Sequence, residues 1–163
     1  MPAFALESPD VRPGQQLPTW ARATGAGGDD RSPELRWSGA PAETQSFVVQ
    51  VFDPDAPTSS GWWHWAVANL PATTTALAQN AGDPDAGLLP PGALTLPNET
   101  RAARYGGAWP PPGHGPHRYF FTVTALDVAA IDIGADATPG MLGFLMFGHA
   151  LARAQFFATS HTD

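Results

Sequence analysis

Three dense apolar runs stand out along the chain, separated by stretches rich in proline and glycine. Residues 47–52, Phe-Val-Val-Gln-Val-Phe, are almost unbroken in apolar character. That is the pattern of a central strand buried on both faces, and Pro54 ends it. Residues 63–69 predict a second central strand that stops at Pro71. Strict alternation there puts Trp63, Trp65 and Val67 on one face, with His64, Ala66 and Ala68 on the other. Residues 117–126 predict a third strand, with His117, Tyr119, Phe121 and Val123 facing one way and Arg118, Phe120, Thr122 and Thr124 the other.

Weaker patterns fill in the periphery. Edge strands are predicted at residues 4–6, 17–21 and 155–159, and a short strand presents Leu35 and Trp37 on one face. Thr138 and Pro139 open a helix over residues 139–153, with Leu142, Leu145, Met146 and His149 at helical spacing. Its three glycines make it depend on tertiary packing. Residues 76–80 read as a helical turn within a long surface excursion that reaches Gly107. That excursion is either a functional loop or a tolerated insertion. The pattern is mainly β.

Composition narrows this picture. A chain of 163 residues fits one core, so residues 1–163 are expected to form a single domain. Proline (18) and glycine (17) recur at short intervals, favouring short strands and tight turns over a helical bundle. A net charge of −7 argues against a nucleic-acid footprint and against a polybasic membrane anchor. Cysteine and lysine are both absent, which excludes thiol nucleophiles, sulfur-ligated zinc, phosphate-loop lysines and Schiff bases. No apolar run is long enough to span a membrane and no signal peptide is recognisable, so a cytoplasmic location is expected.

The candidate chemistry gathers around two proline-rich stretches. Asp53-Pro-Asp-Ala-Pro57 ends the first central strand, and Pro110-Pro-Pro-Gly-His-Gly-Pro-His117 leads into the third. Aspartates flanking a proline readily accept backbone N–H bonds, so Asp55 reads as a loop brace and Asp53 as a pocket wall. Two histidines, His64 and His117, with an aspartate to orient one ring make a plausible anion pocket. The same three residues could form a two-histidine, one-carboxylate metal site, but no histidine pair has dedicated zinc spacing. Ser59 or Ser60 beside His64 would be needed for a hydrolase, and neither sits in a nucleophile elbow. Arg118, opposite in facing to Tyr119, is expected to lock a carboxylate of the 53–57 loop. Tyr119 either donates its hydroxyl to a ligand or packs in the core. His114 is expected in an exposed turn, and His149 in a structural role. Trp62, Trp63, Trp65 and Trp109 build either apolar pocket walls or a subunit interface.

These stretches occur together with Arg31-Ser-Pro-Glu-Leu-Arg-Trp37, Gly61-Trp-Trp-His-Trp65, Asn98-Glu99, Tyr105-Gly-Gly107 and Gly148-His-Ala-Leu151. In that order the chain resembles the phosphatidylethanolamine-binding protein family, and in particular its small bacterial Raf-kinase-inhibitor-like branch. The resemblance implies a β-sandwich-type fold with a central antiparallel sheet and short peripheral helices. It implies a small anion pocket for phosphate-like groups or phospholipid head groups, formed here by Asp53, His64, Pro111, His117 and Tyr119, with Asp55 and Arg118 in support. It further implies a homodimer and a possible protein partner, with no catalytic activity established for the family; no cofactor and no metal are expected. One departure concerns the pocket mouth: Trp109 stands where the family usually has cysteine, which narrows the mouth or forms a lid. The resulting expectation is a non-enzymatic binder of a small anion; the alternative is a weak, metal-assisted hydrolase or phosphatase using the same residues.

Overall fold

The computed structural model describes residues 3–163. The elements in chain order are β1 (Ala5–Glu7), β2 (Leu35–Ser38), β3 (Ser46–Asp53), β4 (Trp62–Pro71), β5 (Ala76–Leu77), β6 (Leu94–Thr95), β7 (His117–Leu126), α1 (Pro139–Met146) and β8 (Ala150–Ser160). They form two antiparallel sheets, one of three strands in the order β1-β2-β5 and one of five in the order β6-β4-β3-β7-β8. The result is the mainly β, sandwich-type arrangement with short peripheral helices that the sequence suggested. The nearly unbroken apolar run of β3 does take the middle of the larger sheet.

The two sheets face each other across the principal core. Leu6, Leu35, Trp37 and Leu77 come from the small sheet, and Phe47, Val49, Val51, Trp65, Tyr119, Phe121 and Val123 from the large one. The outer face of the large sheet carries a smaller core in which Val48, Ala66, Ala68 and Leu126 meet Leu142 and Met146 of α1. The helix is thus held by its packing, as its glycines require.

Several sequence expectations are corrected. The edge strand at residues 17–21 is instead a single β-bridge, Gln16 to Thr159, followed by a 3₁₀ turn at Thr19–Ala21. Pro18 lacks an N–H and cannot continue a ladder. The helix expected to reach residue 153 ends at Met146, passes through a 3₁₀ turn at Phe147–His149 and gives way to β8. From Ala154 to Ser160 burial alternates with period two, so pairing with β7 outweighs the local helical spacing. The turn expected at residues 76–80 begins as β5, whose Leu77 pairs with Leu35.

The strict alternation expected along β4 also fails, at a functionally informative place. Val51 pairs with Trp65 and Phe52 with Trp63, leaving His64 as one extra residue opposite β3. Such a β-bulge re-aims a side chain. Trp63 turns outward, its ring 4.4 Å from that of Phe52. His64 joins Trp65 on the inner face, 5.1 Å ring to ring from Tyr119.

Candidate functional site

Antiparallel order brings the C-terminal end of β3 beside the N-terminal ends of β4 and β7. The inward positions of these strands are apolar in the core and turn polar at this rim: Val51 is followed by Asp53, and Phe121 and Tyr119 are preceded by His117. The bulge adds His64 to the same rim. Asp53, His64, Pro111, His117 and Tyr119 all line one cavity of about 280 Å³, and Trp109 stands at its edge. Ser59 and Ser60 do not border it.

Three polar wall residues, Asp53, His117 and His64, are anchored from behind. Asp53 is buried, and its Oδ1 accepts the backbone N–H groups of Asp55 (2.7 Å) and Ala56 (3.1 Å). Its Oδ2 accepts from His117 Nδ1 at 2.8 Å. The carboxylate therefore closes the proline turn and fixes the imidazole in one act. With Nδ1 committed, His117 directs Nε2 away from Asp53, where it meets Nδ1 of His114 at 2.6 Å. His114 is exposed, as the sequence suggested, but this contact gives it a place at the site that sequence reasoning missed. The spacing His114-x-x-His117 was the available signal.

His64 is held differently. Its Nδ1 donates to the Gly106 carbonyl at 2.8 Å, and the Gly106 N–H returns a bond to the His64 carbonyl at 2.8 Å. Burial pushes the imidazole below its ordinary pKa of 6.5, against the raising effects of the Gly106 carbonyl and Asp53. A neutral ring that donates through Nδ1 carries a lone pair on Nε2. Tyr119 is pushed the other way: burial, then the nearby Asp53, raise its phenol pKa, so it stays a neutral hydroxyl.

The loops around the cavity are braced by charge. Arg118 donates through Nε and Nη2 to the two carboxylate oxygens of Asp55, both at 2.9 Å, and its backbone N–H adds a third bond at 2.8 Å. This bidentate pair lies outside the cavity, and its guanidinium also sits 5.3 Å from the centre of the Phe120 ring. The Arg118 guanidinium holds the Asp55 carboxyl below its usual range. Asp30 is a brace that sequence reasoning overlooked. Burial raises its pKa, but bonds from the Gly107 N–H (2.7 Å) and from the N–H and hydroxyl of Thr24 outweigh this and leave it lowered. Asp30 thereby pins Gly107, where a Cβ would lie 2.2 Å from the Arg22 backbone. Only glycine lets the two segments approach this closely. Trp109 follows two residues later, more than half exposed and packed over Gly25. His149 donates to Asp127 away from the cavity, at 2.9 Å.

Chemically, this is a small concave site with apolar walls, two imidazoles held from behind and a buried phenol. Both oxygens of Asp53 are engaged, and among the described residues no three His, Asp or Glu side chains are grouped to hold a metal ion. None of the helices is long and apolar enough to cross a membrane, among the described residues.

Comparison with known proteins agrees with the fold. The profile of the phosphatidylethanolamine-binding protein family matches residues 7–161. The chain is 47% identical over 157 residues to the UPF0098 protein YbhB of Escherichia coli K12, covering 94% of this chain and 97% of YbhB. It is 43% identical over 155 residues to the UPF0098 protein YbcL of the same organism, covering 94% of this chain and 85% of YbcL. The crystal structure of E. coli YbcL superposes with a TM-score of 0.94 at 41% identity, covering 98% of this chain and 99% of that one. A structure of the carboxypeptidase Y inhibitor in complex with its cognate proteinase shares the fold at a TM-score of 0.54 and 20% identity, over 98% of this chain and 83% of that one. With nearly its whole length matched, the chain belongs to the phosphatidylethanolamine-binding protein family, in the branch of YbhB and YbcL.

Proposed function

We propose that the protein binds a small anion, a phosphate group free or carried on a phospholipid head group, in the cavity lined by Asp53, His64, Pro111, His117 and Tyr119. Binding without turnover is part of this reading. The observation that carries it is the convergence of His64, His117 and Tyr119 on one cavity, with both Nδ1 atoms already committed behind it. Asp53 acts as the orienting residue and does not touch the anion, since a carboxylate against an anion would repel it.

The tautomers make the proposal more specific. In its neutral form His64 presents Nε2 as an acceptor, His117 shares its Nε2 with Nδ1 of His114, and Tyr119 supplies a donor. A fully ionised anion is therefore a poor match. The site accepts the anion together with a proton, carried either on a phosphate oxygen or on an imidazole. Affinity for phosphate should rise as the pH falls from about 7.5 towards 6.

Calorimetric titration with inorganic phosphate and with glycerophosphoethanolamine tests this. One site is expected, tighter at the lower pH, and weakened at least tenfold by His117→Gln. Tighter binding of glycerophosphoethanolamine points to a lipid source, and equal affinity to free phosphate. Failure of both to bind, or unchanged affinity in the variant, overturns the reading. Modulation of a protein partner and a cytoplasmic location belong to the same proposal. So does a homodimer, supported by the exposed apolar side chains Phe144, Phe147 and Phe157 near α1 and β8; sedimentation analysis checks it.

A further inference from the structure

A second cavity, of about 270 Å³, lies against the outer face of the same strands, partly roofed by Gly143 and Met146 of α1. Its floor is a polar row at one register. Gln50 of β3 pairs with Thr122 of β7, and Thr122 with Gln155 of β8. The Gln155 amide donates to the Thr122 hydroxyl at 2.7 Å. Gln50 has no such partner: the residue is only 6% exposed, and its buried amide nitrogen makes no hydrogen bond. A buried amide left unpaired at the centre of a sheet is costly and rare, and it calls for an explanation.

The surroundings suggest one. Phe52 and Trp63 pack together on one side of the row, and Phe120 lies beside them, so the walls are flat and apolar. Arg153 borders the cavity from β8 and forms no ion pair among the described residues. Most of the eight arginines form no ion pair among the described residues, so what distinguishes Arg153 is the unpaired buried amide in the same cavity. Arginine recognises carboxylates bidentately, aromatic faces stack on flat rings, and a buried amide selects a hydroxyl or carbonyl partner.

We propose that this outer cavity is a second ligand site, separate from the anion cavity, for a small hydroxylated carboxylate with a flat apolar body. The carboxylate pairs with Arg153, the ring lies against Trp63 and Phe120, and the hydroxyl bonds the Gln50 amide as that side chain turns its nitrogen into the cavity. The proposal does not depend on the anion reading, because the two cavities open on opposite faces of the sheet and share no lining residue.

Titration with 4-hydroxybenzoate, followed by calorimetry and by the indole N–H signals in a two-dimensional NMR spectrum, provides the test. Saturable one-to-one binding is expected, with the Trp63 indole signal shifting and that of Trp109 staying in place. Benzoate, which lacks the hydroxyl, should bind at least tenfold more weakly. Gln50→Leu and Arg153→Gln should each reduce affinity at least tenfold, while Gln50→Leu melts no lower than the parent protein. Absence of saturation, equal affinity for the two acids, or a shift at Trp109 in place of Trp63 overturns the proposal.

Discussion

Two clusters on the five-stranded sheet, one at the rim of the inner face and one on the outer face, treat buried polar side chains in opposite ways. At the rim of the inner face, Asp53 and His117 are buried and fully engaged with each other, with the proline turn and with His114. On the outer face, Gln50 and Thr124 are equally enclosed, yet the Gln50 amide nitrogen and the Thr124 hydroxyl have no partner. The difference teaches what each surface is suited to. A satisfied network holds its members in fixed geometry and adds to stability. An unsatisfied one costs stability in the free protein and recovers it when a partner arrives.

The largest break in this comparison should come from Asp53→Ala. It strips the partner from the buried His117 N–H and from two backbone N–H groups, and should destabilise the fold by about 3 kcal/mol, as breaking buried pairs does. Urea unfolding measures the loss, and a cost below about 1 kcal/mol would show that the network is not a structural unit. The outer face predicts the reverse sign. Gln50→Leu removes an orphan amide and should raise stability by about 1 kcal/mol. A lower melting temperature would mean that the amide is satisfied in solution.

A smaller effect belongs to His64. Because burial lowers the His64 pKa beneath 6.5, the unfolded chain takes up that proton before the folded one does. Stability should therefore decline as the pH falls below about 6.5, until the depressed folded pKa is reached. His64→Gln keeps a donor for Gly106 and should flatten that decline between about pH 7 and 5. Equal slopes for the two proteins in denaturant unfolding would refute it. The smallest change is expected from Arg118→Ala. Its guanidinium is half exposed and its pair with Asp55 lies outside the cavity, so melting should shift less than in the other variants while phosphate binding persists. Because Asp55 titrates low, whatever this pair contributes is present at neutral pH and lost only as acid protonates the carboxylate.

Much of the fold was legible because the signals were local and consistent. β3 and β7 appear as dense apolar runs bounded by proline, and the period-two facing of β7 holds along its length. Arg118 could be assigned in advance to a carboxylate of the 53–57 loop because strand alternation turns it away from Tyr119, and the structure shows Asp55 as that carboxylate. Two features were less readable. Residues 147–153 carry helical spacing, but their conformation is decided by the β7 edge waiting to be paired. Asp30 looked like one of many loop aspartates, since its value lies in Gly107, 77 residues away.

By itself the sequence determined the run of strands, the proline-rigid turns and the residue types at the rim, because apolar periodicity and proline geometry act over a few neighbouring residues. Only the tertiary structure decided that His64 faces inward. Strict alternation placed it on the outer face with Ala66 and Ala68. The mismatch in register between β3 and β4 inserts it as a bulge, turning it towards Tyr119 and sending Trp63 to the other cavity. Register is a property of two strands together, so neither strand's sequence contains it.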